Sequence, residues 1–205
     1  MSAGNAPREG RGWRNLGALA ALFFVPVVAA FWLYYGVPGW RPGGAANRGN
    51  LIDPAVPLPV LEFAGTDGQP IAGDLLHDRW TLLFIGAASC DARCRDALYL
   101  TRQTRLALGK DADRVRRVFL ATGPCCPGTA IAAEHPDLVV AIPTQSQLDA
   151  LMRLIPKRDT SPTADPARTY IVDPLGNLMM SYSTDAPDKA LLDDLKRLLR
   201  LSHIG

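Results

Sequence analysis

From Leu16 to Tyr35 the chain runs twenty residues without a charge, LGALAALFFVPVVAAFWLYY, and is apolar on every side of a helix. Such a run is long enough to span a bilayer and predicts one transmembrane helix over 16–35. Pro26 is tolerated within a membrane helix. Trp13 precedes the run, and Trp32, Tyr34 and Tyr35 close it, where aromatic belts form. Arg8, Arg11 and Arg14 outnumber Arg41 and Arg48 on the far side. That bias puts residues 1–15 in the cytoplasm and the bulk of the chain outside. A cleaved signal peptide is the competing reading. Against it, the run exceeds the roughly 7–15 residues of a signal h-region, and only a weak site at Gly44-Ala45-Ala46 follows.

Residues 36–58, rich in Gly, Pro and Asn, read as a linker. Beyond them, 59–205 read as one domain of alternating short apolar runs. Val60–Phe63 is a short strand, and Thr66-Asp67-Gly68-Gln69 is a turn. Trp80–Gly86 is nearly continuous in apolar residues, as a strand covered on both faces should be. Asp91–Leu108 has a helical pattern, and Val115–Ala121 is the next strand. Strand, helix, strand in that order implies a parallel pair with a right-handed crossover. Leu138–Ile142 is a strand, and Gln145–Ile155 a helix with Leu148, Leu151, Met152 and Ile155 on one face. Tyr170–Tyr182 folds about Asp173–Asn177 as a hairpin. Pro187–Leu201 closes the domain with a stripe of Leu191, Leu192, Leu195, Leu198 and Leu199. The expected fold is α/β and thioredoxin-like, a central mixed sheet flanked by helices behind one N-terminal transmembrane helix.

Within this pattern, Cys90 and Cys94 stand where the central strand turns into a helix. Residues i and i+4 share a helix face, so the two sulfurs can converge. A helix N-terminus favours thiolate over thiol, and Arg93 and Arg95 push the same way. Such a pair can cycle as a redox dithiol, with Cys90 attacking and Cys94 resolving, or hold a soft metal such as Cu(I). It can also serve as an inert structural disulfide. An outward-facing domain in a bacterial periplasm meets an oxidising environment, which suits each of these uses.

The other two cysteines, Cys125 and Cys126, follow the strand Val115–Ala121. If that strand is parallel to the central one, it ends on the same sheet edge. The pair then lies near Cys90 and Cys94 and is a second candidate metal pair. Adjacent Cα atoms are about 3.8 Å apart, below the usual disulfide range of roughly 4.4–6.8 Å. His77, His135 and His203 read as surface histidines, His135 because of its Glu-His-Pro context. One of Met179 and Met180 is expected in the core. A net charge of +2 with no basic stripe gives no footprint of a nucleic-acid partner.

Several segments together resemble the Sco/SenC family of membrane-anchored, copper-handling cytochrome oxidase assembly factors. They are Thr66-Asp67-Gly68-Gln69-Pro70, the strand from Trp80 to Gly86 with its Cys-x-x-x-Cys, His135-Pro136-Asp137 through Thr144, and Tyr170-Ile-Val-Asp-Pro-Leu-Gly176. The resemblance implies a thioredoxin-like fold and one copper ion held by two cysteines and a histidine. It carries Cys90 and Cys94 over as copper ligands. By spacing, Asp165 stands at the histidine position, and Asp91 and Arg95 replace the prolines that usually follow the family's cysteines. A carboxylate is a poor substitute for imidazole on Cu(I), so the resemblance implies weakened or Cu(I)-only binding. Pro166 lies near the place of the cis-proline of thioredoxin-like folds. The implied role is cytochrome c oxidase assembly, by Cu(I) delivery or by reducing a partner's cysteines before metallation. The implied partner is an oxidase subunit or another copper or thiol protein. A general thiol–disulfide oxidoreductase and a non-catalytic subunit with structural cysteines are the rival readings. Copper is the only cofactor implied, and the expected place is a bacterial inner membrane, single-pass, with the C-terminal domain in the periplasm.

Overall fold

The computed structural model describes residues 9–36, 47–71, 73–123, 131, 133–156, 168–187, 189–202 and 204. The chain divides into two units, Met1–Ala46 and Asn47–Gly205. Cys125, Cys126, Asp165, Pro166 and His203 lie outside the described residues.

The first unit contains one helix, α1 (Glu9–Gly36), with Pro26 inside it. Its 24 residues from Trp13 to Gly36 have a mean hydropathy of 2.3 and bury nothing within the protein. At 1.5 Å per residue they extend about 36 Å, enough to cross a hydrocarbon layer of about 30 Å.

The second unit is built on a six-stranded sheet. Its strands are β1 (Asn50–Pro57), β4 (Trp80–Ala87), β5 (Val115–Thr122), β6 (Leu138–Ala141), β7 (Arg168–Val172) and β8 (Asn177–Ser183). The order is β1-β8-β7-β4-β5-β6. β4, β5 and β6 are parallel, while β7, β8 and β1 join antiparallel. The mixed central sheet and the parallel β4–β5 pair match the sequence expectation. Two-residue strands β2 (Phe63–Ala64) and β3 (Pro70–Ile71) form a small separate ladder. Helices α2 (Ala92–Leu106), α3 (Gln145–Leu154) and α4 (Ala190–Leu201) complete the domain.

Side chains on a strand alternate between faces, and β4 shows the consequence. Leu83 and Ile85 join Val118, Leu120, Tyr170 and Leu151 in one core. Leu82 packs with Ile171, Met180 and the α4 leucines on the other face. Phe84 packs there too, with Phe119, Leu98 and both cysteines. Every β4 residue except Ala87 is buried, as a strand covered on both faces requires. Of Met179 and Met180, Met180 is the one buried in the core beneath α4, in a different cluster from the cysteines.

The start of the domain differs from the sequence reading. The stretch read as linker, 36–58, contains β1, and the second unit begins at Asn47. The carboxylate of Asp194, on α4, fixes this entry. It accepts from the backbone N–H of Arg48 at 2.8 Å and of Gly49 at 2.8 Å, and from the Tyr182 hydroxyl at 2.9 Å. Gly49 is required because a Cβ there would overlap the Tyr182 ring.

Candidate functional site

β4 ends at Ala87, beside Thr122 of β5, and the backbone N–H of Ala88 bonds Thr122 O at 2.9 Å. The loops after both strands therefore leave the carboxyl edge of the parallel part of the sheet, where ligands gather in such folds. Cys90 stands on the first of these loops and Cys94 in the helix that follows it, and the two are joined as a disulfide, with Cα atoms 5.0 Å apart.

The sequence located the pair, but a shared helix face is not what joins the sulfurs. Cys90 lies outside α2, with φ of 41°, a left-handed conformation that side chains other than glycine rarely adopt. Strain of this kind costs about 1–3 kcal/mol and concentrates at functional sites. Asp91 is the N-cap of α2, and its Oδ1 accepts from Cys94 N at 3.0 Å. Cys94 thus sits in the first helical turn, where the helix dipole favours a thiolate. Arg95 donates from Nη1 to Cys90 O at 3.1 Å, holding the turn from the other side. Both cysteines are nearly buried, at 5% and 3% exposure.

A cavity of about 160 Å³ opens beside the disulfide. Cys90, Arg95, Leu98, Ile131, Glu134 and His135 are among its lining residues, whereas Cys94 is not. Of the two cysteines, Cys90 is the one that borders this cavity. A groove of about 610 Å³ between α2 and the start of α4 touches neither cysteine.

His135 was expected on the surface and is not there. It is 6% exposed, and its Nδ1 is buried without a hydrogen-bond partner among the described residues. The turn after it, Leu138 N to His135 O at 3.0 Å, and the packing of Ile131 against the cysteine cluster fold the imidazole inward. Burial, then the charges of Arg117 and Arg102, lower its pKa from the ordinary histidine value. By contrast, His77 is half-buried against Gly176, in the turn at the far end of the sheet. Asp173 forms that turn, accepting from Leu175 N and Asn177 N at 2.9 and 2.8 Å, as expected of turn chemistry.

A buried arginine also frames the site, and the sequence reading did not single it out. Arg117 points from β5 toward α2 and is 0% exposed. It pairs with Asp137 at 2.8 Å and donates to Leu98 O at 2.6 Å and Thr101 Oγ1 at 3.1 Å. Arg102 donates to Glu134 O at 2.9 Å, and Arg105 meets Asp137 at 3.4 Å. Together these bonds tie α2, which carries Cys94, to the segment that carries His135. Burial lowers the Arg117 pKa, and Asp137 opposes the shift.

Two thiolates freed from the disulfide would suit Cu(I) in both softness and number. In the oxidised form, no three His, Cys, Asp or Glu side chains among the described residues are gathered as a metal site.

Fold and site together define a thioredoxin-like domain with a disulfide-bonded cysteine pair after its central strand. A family described as "Transmembrane-like, thioredoxin-like, C-terminal domain" matches residues 80–202, more than half of the chain, and the protein belongs to it. No curated protein matches the chain. Among solved structures, the chain is similar to apo Sco1 from Thermus thermophilus, at 22% identity and a TM-score of 0.60 over 76% of this chain and 99% of that one. It is also similar to copper-bound ScoI from Bradyrhizobium japonicum, at 19% identity and a TM-score of 0.53 over 69% and 98%. BsSco, a Sco-family cytochrome c oxidase assembly protein with a disulfide switch, matches at 14% identity and a TM-score of 0.57 over 75% and 99%. At these identities the likeness shows a shared fold, and the fold class read from the sequence is the observed one.

Proposed function

We propose that this protein is a membrane-anchored dithiol carrier of the Sco type, serving cytochrome c oxidase assembly. Cys90 and Cys94 bind Cu(I) for delivery or reduce a partner's cysteines so that the partner can take copper. The helix α1 anchors it in a bacterial inner membrane, with residues 1–15 in the cytoplasm and the dithiol domain in the periplasm. Cys125 and Cys126, which follow β5 in the sequence, are a second thiol pair for the same work. The partner is an oxidase subunit or another copper or thiol protein.

The observation that carries this reading is the Cys90–Cys94 disulfide, placed after β4 at the start of α2 in a fold shared with copper-bound ScoI. A general thiol–disulfide oxidoreductase would use the same pair without metal, attacking through Cys90, which borders the small cavity.

The experiment that tests both against an inert staple is the reduction potential of the pair. The full chain in detergent is equilibrated with dithiol buffers, and the free thiols are alkylated and counted by mass. A potential between roughly −270 and −120 mV is expected. A value below about −300 mV is that of a structural disulfide and would overturn both readings.

A further inference from the structure

Cys90 holds one half of the dithiol on a backbone that its own side chain opposes. Its φ of 41° is left-handed, where a Cβ crowds the following carbonyl. A residue other than glycine stays there when its surroundings fix it. The N–H of Cys90 donates to Ala87 O at 3.0 Å and closes the turn after β4. Its carbonyl accepts from Arg95 Nη1 at 3.1 Å, five residues further on. The bond to Cys94 is a third restraint.

These restraints do not all outlast the reaction. Reduction breaks the disulfide and leaves two thiols, with the Ala87 bond on one side of Cys90 and the Arg95 bond on the other. Relaxing Cys90 to extended backbone would swing its carbonyl off the first turn of α2 and break the Arg95 bond. Arg95 is well placed to resist this. Its own N–H bonds Asp91 O at 3.0 Å, and the Asp91 side chain caps Cys94 N. Arg95 and Cys90 border the same cavity of about 160 Å³, so the side chain lies across the cysteine turn. One residue of α2 therefore ties the helix cap, which holds Cys94, to the backbone of Cys90.

Resting on the dithiol reading above, we propose that Arg95 is a positioning residue that keeps Cys90 left-handed after reduction, with both thiols placed to re-form their disulfide. Its charge would act in the opposite sense. A nearby cation stabilises thiolates, which favours the reduced pair and raises the reduction potential. Positioning spares the reduced pair a search for its closing geometry, which favours the disulfide and lowers the potential. Arg95 is exposed, where water and salt weaken the charge effect, so the positioning effect sets the sign. In the closing step, Cys94 thiolate attacks the sulfur of Cys90 held in a mixed disulfide with a small thiol. The small thiolate leaves and takes up the proton that Cys94 gave to solvent.

The test uses the metal-free full chain in detergent, equilibrated with glutathione and dithiothreitol buffers. The state of Cys90 and Cys94 is read by alkylation and mass of the peptide that carries both. Arg95→Gln and Arg95→Met each remove the guanidinium from an exposed position, and either alone suffices. Each should move the equilibrium about tenfold toward the dithiol, a rise of about 30 mV in potential. Each should also slow closure of the mixed disulfide with glutathione by about tenfold. A fall in potential would overturn the proposal and show that Arg95 acts through its charge on the thiolates. A shift under twofold with an unchanged closure rate would overturn it as well. Failure of the underlying dithiol reading looks different: the wild-type pair itself has the potential of a structural disulfide.

Discussion

Replacing Asp137 by alanine is expected to destabilise the domain by about 3 kcal/mol, the lower end of the range for orphaning a buried charge. The loss is not simply that of a salt bridge. Arg117 is fully buried, and desolvation already lowers its pKa. Without Asp137 its charge stays in the core, where among the described residues Leu98 O and Thr101 Oγ1 remain to receive it. Water reaching the partly exposed Asp137 position relieves part of the penalty, hence the lower end of the range. The same argument sets the opposite expectation for a double change. Arg117→Met with Asp137→Ala removes both the charge and its partner and should be more stable than Asp137→Ala alone. Urea unfolding of the full chain in detergent reads both. A double variant less stable than the single would show that the arginine contributes through its bonds to α2, not through its pairing.

Asp194→Ala should cost a similar amount, about 3 kcal/mol, because it leaves three donors without an acceptor. Those donors are Arg48 N, Gly49 N and the Tyr182 hydroxyl. The loss should appear first at the entry to the domain, as faster proteolysis across β1. Tyr182 adds a pH signature. Burial first, then the Asp194 charge and hydrogen bond, raises its pKa above the ordinary value near 10. A raised pKa keeps the phenol protonated in the fold while the unfolded chain ionises. The stability it contributes is therefore present below about pH 10 and is lost as pH rises above it. Tyr182→Phe should flatten that alkaline decline. An unchanged slope would place the alkaline sensitivity elsewhere.

The sheet was legible in the sequence because its central strands are buried on both faces and so carry unbroken apolar runs, as Trp80–Gly86 does. The dithiol was legible from its place between strand and helix. What the sequence hid are residues whose type contradicts their burial. Arg117 in the run Val-Arg-Arg-Val reads as a solvated charge, yet alternation puts it on the α2 face with Phe119 and Ala121. His135 hides for the same reason, since Glu-His-Pro resembles a polar loop until the Arg117–Asp137 pair draws the turn inward. β1 was missed because only Ile52 is buried along it and two prolines interrupt its pattern. The left-handed backbone of Cys90 leaves no mark in residue type, so the convergence of the sulfurs was foreseen but assigned to a helix face.

The central claim is that function lodges in Cys90 and Cys94, and a copper titration tests it most directly. Reduced full-length chain is titrated with Cu(I) under anaerobic conditions beside the Cys90→Ser/Cys94→Ser variant. The account predicts one tightly held Cu(I) per wild-type chain and none in the variant. Equal copper in both proteins would contradict it and move the metal to Cys125 and Cys126.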